Sequence, residues 1–173
     1  MPIAESLLAE FEAQAPLTRR FLERLPEDRL TWKPHPKSMT AGQLAYHLAQ
    51  TPAGVVELVR NNPMQVSGPP TFPQPSSLDE VLAKHDEGVE TMRRVLPTYD
   101  DAAMDEIWRL KFGDIEVMTV KRKGFLRDVA FNHWYQHRGQ FSVYLRMLDV
   151  PVPATWGPSA DEMPEFVKAA HAA

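Results

Sequence analysis

His133 and His137 stand four residues apart in "FNHWYQHRGQFSVYL", which runs from Phe131 to Leu145. On a helix, residues at i and i+4 share a face with Cβ atoms about 6 Å apart, so two imidazoles so placed can close on one ion at about 2.0 to 2.1 Å. The spacing alone is weak evidence, because six histidines produce a four-residue separation often enough by accident. The face strengthens it. Both histidines continue the stripe of Leu126, Ala130, Phe141 and Tyr144, which predicts rings that point into the core, where a polar group without a partner costs a few kcal/mol. A shared ion would supply that partner.

A third imidazole is available on a second helical stretch. His47 falls between Leu44 and Thr51 on the face expected to pack inward, and neighbouring helices of a bundle lie about 8 to 10 Å apart, a gap that inward histidines can span to one ion. His85 competes for the third place: it sits on the inward stripe of another helix and could be a ligand, a partner of a ligand or a satisfied core histidine. His35, in a proline-bounded loop, and His171, near the terminus, are expected to be exposed. Gln140, one turn beyond His137, could hydrogen-bond a ligand ring or a metal-bound water, or fill the edge of the core. Tyr46 is expected near the same open metal position. Gly139 costs about 1 kcal/mol relative to alanine inside a helix, and its use there predicts close approach by another helix or by the tail.

These residues need elements to hold them. A chain of 173 residues fits one domain, 1–173, and buries roughly 70% of the surface exposed when it unfolds. Sixteen prolines crowd into a few segments, and four stretches with helical period lie between them. The first runs from about Ile3 to Leu25, with a kink or restart expected at Pro16. The second opens on "TAGQ", where Thr40 and Gln43 form a capping box, and continues to Leu58 through an awkward Pro52. The third opens on "SLDE", with Ser77 and Glu80 placed as a second capping box, and stops before Pro97. The fourth begins between Thr119 and Gly124 and ends at Pro151. Before it, "IWRLKFGDIEVMTV" alternates apolar and polar residues around Gly113-Asp114, which predicts a short β-hairpin laid on the bundle. The segment from Pro63 to Ser76 is long enough, at about 3.3 Å per residue, to cross a helix of about 30 Å and so permits parallel second and third helices.

Composition excludes several chemistries. There is no cysteine, so disulfides, thiolate metal sites and a cysteine nucleophile on this chain are ruled out. Net charge is −4 with both signs mixed, and the one basic run, Lys121 to Arg127, has no stacking platform beside it; no nucleic-acid partner is expected. No apolar run approaches the ~20 residues of a membrane helix. The N-terminal "MPIAESLLAEFEAQ" has helix periodicity and acidic residues in place of a secretory pattern, which predicts a cytoplasmic protein.

Three segments together resemble the DinB-like (DinB/YfiT) superfamily: "LTWKPHPKSMTAGQLAYHLA" from Leu30, "HWYQHRGQFSVYLRMLDVPVP" from His133 and "WGPSADE" from Trp156. The resemblance implies an all-α four-helix bundle of up-down-down-up topology, with a long crossover between helices 2 and 3 and a tail folded back on the bundle. It implies that His47, His133 and His137 ligate a divalent transition metal, zinc or nickel before iron or manganese, and leaves His85 outside the triad. It also implies a homodimer. Three neutral imidazoles leave at least one coordination position open, the pattern of a catalytic site. Relatives include thiol-dependent transferases and a thiol-dependent isomerase. The expected function is therefore that of a metal-dependent enzyme, a thiol S-transferase or related detoxifying transferase or hydrolase, in which the metal activates a low-molecular-weight thiol or water against a small-molecule substrate. The alternatives are a metal-binding stress or interaction protein without turnover, and a helical bundle with no metal.

Overall fold

The computed structural model describes residues 1–164 and Val167. Helix α1 (Ile3–Leu22) buries Leu7, Phe11, Ala15, Thr18 and Leu22, the three- and four-residue rhythm of one apolar face. It runs through Pro16 without a restart. Pro16 is exposed, so the carbonyl that lacks its helical donor can face water.

Helix α2 (Ala41–Leu58) starts at the expected capping box: Gln43 N–H donates to Thr40 Oγ1 and Thr40 N–H to Gln43 Oε1, both at 3.0 Å. Pro52 lies inside it and is buried. Having no N–H, it cannot donate to the carbonyl of Leu48. The Trp134 indole Nε1–H takes that place, donating to Leu48 O at 3.0 Å. The C-terminal carbonyls of α2 and its exit find side-chain donors as well: Tyr99 Oη–H on Val56 O at 3.1 Å, Arg122 Nε–H on Val59 O at 3.2 Å and Trp108 Nε1–H on Asn61 O at 2.7 Å. Helix ends buried in a core require such partners.

Helix α3 (Leu78–Val95) is capped by Ser77, whose Oγ accepts from Glu80 N at 3.1 Å. The return bond of the expected second box is shifted by one residue, because Glu80 Oε2 accepts from Ser76 N and Ser76 Oγ at 2.7 and 2.8 Å. Gly88 brings α3 close to α2: a Cβ there would lie 3.0 Å from Ala49 O. Helix α4 (Asp101–Asp105) is a single capped turn leading into the sheet.

Strands β1 (Met64–Val66), β2 (Ile107–Phe112) and β3 (Ile115–Lys121) form one mixed sheet in the order β1-β2-β3. The β2–β3 pair is antiparallel around Gly113, whose φ of 57° requires glycine's freedom, while β1 runs parallel to β2. The all-α class, and with it the pure four-helix bundle of up-down-down-up topology, is corrected by this sheet. The hairpin alone would leave the β2 edge as a row of unpaired backbone groups. Residues 64–66, part of what reads in the sequence as a structureless crossover between helices 2 and 3, pair with that edge; three residues are too few to show a strand period.

The last helical run has three consecutive parts: α5 (Arg122–Phe125), a π-helical segment (Leu126–Asn132) and α6 (His133–Met147). Beyond it the chain turns back toward α1. Glu162 accepts from Arg20 and, at 2.9 Å, from Arg24, and Asp161 accepts from Arg146 and from Val152 N. The basic run is occupied structurally, with Lys121 and Lys123 on Asp105, and Arg127 on both carboxylate oxygens of Glu10.

The Leu48–Trp134 bond makes a stability prediction. Trp134→Phe leaves a buried carbonyl without a donor and is expected to cost about 1 to 3 kcal/mol by urea denaturation. Pro52→Ala supplies the missing N–H, so in the double variant the added cost of losing Trp134 is expected to shrink. Strict additivity of the two would overturn the assignment.

Candidate metal centre

His47 projects from the middle of α2, while His133 and His137 occupy the first two turns of α6. The structure brings the three imidazoles together. His47 Nε2 lies 3.0 Å from His133 Nε2, and His137 Nε2 lies 3.1 Å from the same atom. One ligand atom from each of the three lies within 4.8 Å of the others. The rings stand almost at right angles, with interplanar angles of 85° to 89°.

Hydrogen bonding does not account for this arrangement. A ring nitrogen carries either one hydrogen or one lone pair in its plane, and so makes one good hydrogen bond. His133 Nε2 meets two other nitrogens, so its single in-plane hydrogen or lone pair has to be divided between them and gives neither a full partner. One cation held about 2.0 to 2.1 Å from each nitrogen gives all three lone pairs a partner, and two nitrogens bound that way are about 2.9 to 3.4 Å apart. The observed spacings fall inside that range. The donor set therefore fits a divalent transition metal.

Gln140 fixes which nitrogen of His137 is free. Its Oε1 lies 2.9 Å from His137 Nδ1; an amide oxygen only accepts, so Nδ1 carries the hydrogen and Nε2 presents its lone pair to the cluster. Of the contacts expected of Gln140, the one present is that to a ligand ring, on the side of His137 away from the cluster. Tyr46 is half-buried and packs against the core.

The three histidines are half-buried, at the rim of the core. The stripe read from the sequence predicts a deeper position, and the π segment explains the difference. A π turn holds about one residue more than an α turn. Burial in the segment falls on Leu126 and then on two adjacent positions near its end, Ala130 and Phe131, before the α spacing resumes at Trp134, Arg138, Phe141 and Leu145. The extra residue rotates α6 so that Trp134 faces the core, and His133 and His137, one position back, reach its edge.

His47 is held at a pKa of about 4, first by burial and then by the two neighbouring imidazoles; burial, with His137 second, also lowers that of His133. Both stay neutral near pH 7, the state in which imidazole can ligate. Among the described residues the cluster contains no carboxylate.

His85 is not part of it. It is buried, its Nε2–H donates to Ala15 O at 3.1 Å, and its Nδ1 has no hydrogen-bond partner among the described residues. His35 is exposed, with Nδ1 accepting from Lys37 N; His171 lies outside the described residues. Gly139 is corrected as a contact point: a Cβ there would meet nothing within 4 Å. Its neighbour Arg138 is the buried member of "HRGQ", bonded to Gln14 Oε1 at 2.8 Å and Thr18 Oγ1 at 3.2 Å.

Sequence reasoning missed Phe72, from the proline-rich connection, whose ring stands nearly perpendicular to that of His47 with centroids 5.4 Å apart. No periodic signal marks such a residue. It also missed Trp134 as the residue that locks α6 to α2.

The profile of the DinB superfamily matches residues 10–141. The sequence is similar to the uncharacterized protein YrdA of Bacillus subtilis (strain 168), 26% identical over 159 residues that cover 91% of this chain and 89% of that one. The fold is similar to the crystal structure of a DinB-like protein from Bacillus cereus ATCC 10987, with a TM-score of 0.68, 19% identity and coverage of 88% of this chain and 97% of that one. It is similar also to the DinB-like protein YjoA of Bacillus subtilis, with a TM-score of 0.64, 17% identity and coverage of 91% and 98%. At these identities the two likenesses are of fold.

Two predictions come from this geometry. Gln140→Ala removes the acceptor that holds the His137 tautomer and is expected to weaken metal binding about tenfold, read by competition with a chromophoric chelator; unchanged affinity would remove Gln140 from the site. The second concerns the metal-free protein. His85 and His47 have folded pKa values below their ordinary 6.5, so between those values the unfolded chain binds more protons. Stability is expected to be full above about pH 6.5 and to fall as pH drops toward 4, and His85→Gln should make the fall shallower. A chain as stable at pH 4.5 as at pH 7 would contradict it.

Proposed function

The chain belongs to the DinB superfamily, and from that premise we propose that His47, His133 and His137 hold one divalent transition metal, zinc or nickel, at an open site that activates a low-molecular-weight thiol or a water. The observation that carries the reading is His133 Nε2, which faces two other imidazole nitrogens with a single in-plane hydrogen or lone pair to divide between them. A bound cation of this kind supplies acidity, lowering the pKa of a coordinated water to about 7 or deprotonating a coordinated thiol.

The chain's own residues account for the rest. Three neutral imidazoles bind and leave a position open. Gln140 orients His137 through Nδ1. No cysteine is present, so a reacting thiol has to come with a small molecule. A cytoplasmic setting suits this reading, because low-molecular-weight thiols are kept reduced there. Among the described residues no helix is long and apolar enough to cross a membrane.

A second reading, a metal-binding protein without turnover, is favoured by one feature. The groove between α2 and α3, of about 260 Å³, is lined by residues such as Gln50, Glu57, Lys84 and Arg94 and by none of the three histidines.

Elemental analysis of untagged protein decides the metal, with about one equivalent of zinc or nickel expected and loss of it in His47→Ala. Protein without stoichiometric metal would falsify the metal reading. Turnover decides between the two functions: the metal-loaded protein is expected to conjugate or isomerise an electrophile with a common cellular thiol. Full metal occupancy with no turnover across those thiols assigns the non-catalytic role.

A further inference from the structure

We propose that Phe72 is the specificity-determining wall of the metal centre, seating an uncharged aromatic or bulky apolar group on the small molecule that takes the open coordination position. The proposal rests on the metal reading above and adds to it the class of ligand.

Phe72 lies outside every helix and strand, yet it is tightly placed. Its ring stands nearly perpendicular to that of His47, at a centroid distance of 5.4 Å and an interplanar angle of 77°, while 38% of the residue stays exposed. A side chain serving only to cover His47 has no need of that bare remainder. The segment is held by side chains from the start of α2. Gln43 Nε2 donates to Phe72 O at 2.9 Å, Thr40 Oγ1 donates to Gln74 Oε1 at 2.6 Å, and Gln74 Nε2 donates to Leu30 O at 3.2 Å. Gly42 makes the approach feasible, since a Cβ there would stand 2.7 Å from Gln74 Nε2 and 2.8 Å from Leu30 O. Pro69, Pro70, Pro73 and Pro75 flank the ring and restrict the backbone before any ligand arrives. Part of an aromatic ring is thereby left in water, pre-positioned beside the His47 imidazole, where stacking or edge contact rewards an apolar partner.

Gln43 serves two structures at once. Its Oε1 closes the capping box of α2 and its Nε2 carries Phe72. The side chains of this frame, Gln43, Thr40 and Gln74, are neutral, as is Gln140 behind His137. An uncharged group fits that setting better than a charged one.

The test uses untagged full-length protein loaded with Co²⁺ and titrated, without oxygen, with benzyl mercaptan and with 2-mercaptoethanol. Binding is read from thiolate-to-cobalt charge-transfer absorption. The wild type is expected to prefer benzyl mercaptan, with about three- to tenfold of that preference supplied by Phe72. In Phe72→Ala that part of the preference is lost while the cobalt stoichiometry is retained. Gln43→Glu keeps an acceptor for Thr40 N–H but no donor for the Phe72 carbonyl, so it is expected to reduce the preference with helix content unchanged. An equal preference in wild type and Phe72→Ala overturns the proposal and leaves the metal reading standing. Failure to bind cobalt overturns the metal reading and the wall with it. Cobalt binding without a thiol-induced band removes the open thiol position and likewise overturns the proposal.

Discussion

One hydrogen bond sets the register on which the candidate centre depends. The Leu48 carbonyl, deprived of its helical donor by Pro52, accepts from Trp134 Nε1 in the core between α2 and α6. His47 and His133 are the residues immediately before Leu48 and Trp134, and their Nε2 atoms meet at 3.0 Å. The core bond and the surface contact are therefore two consequences of one alignment. A slip of either helix by a residue would turn the imidazoles roughly 100° away and strand a buried indole N–H and a buried carbonyl together. A proline that reads as an awkward break in the sequence supplies the acceptor for this lock.

The π segment does the complementary work on the other helix. A regular α-helix from Arg122 onward would continue the Leu126–Ala130 stripe straight into His133 and His137 and bury both rings. One extra residue per turn over Leu126–Asn132 hands the buried face to Phe131 and Trp134. The histidines are left where a core partner and an incoming ligand can both be reached. Gln140 then belongs to the rim by the same rotation: it is exposed, and from there its amide oxygen reaches His137 Nδ1.

What the sequence reveals, and what it hides, follows from the range of each interaction. Capping at Thr40 and the apolar faces of α1, α2 and α3 are local patterns of three and four residues, and they stand in the structure where the spacing puts them; the same spacing sets His133 and His137 on one face, but not its depth. The strand at Met64–Val66 is made by pairing with Leu110–Phe112, far along the chain, and three residues hold no period of their own. The π segment is hidden because a constant 3.6-residue repeat is assumed in drawing any stripe. Phe72 is hidden because its position is set by Gln43 and by prolines, neither of which announces an aromatic wall. Gly139 misled for a related reason: its cost inside a helix invites a packing explanation, but its surface is open.

The charge of the centre follows from which groups the fold allows near it. The nearest buried cation, Arg138, is turned from His137 toward α1, where Gln14 and Thr18 give it neutral acceptors, and burial lowers its pKa. His85 is likewise spent on an α1 carbonyl. Glu10, the carboxylate that reaches Tyr135 of α6, is committed to Arg127 and to that tyrosine. A divalent ion held as proposed by three imidazoles would keep its charge uncancelled by the chain, and the complement would arrive as an anion such as a thiolate or hydroxide. With neutral amides around the site and an aromatic ring at its edge, the proposed ligand would put its anionic atom at the metal and the rest on Phe72. A ligand charged at both ends would satisfy the first requirement and fail the second.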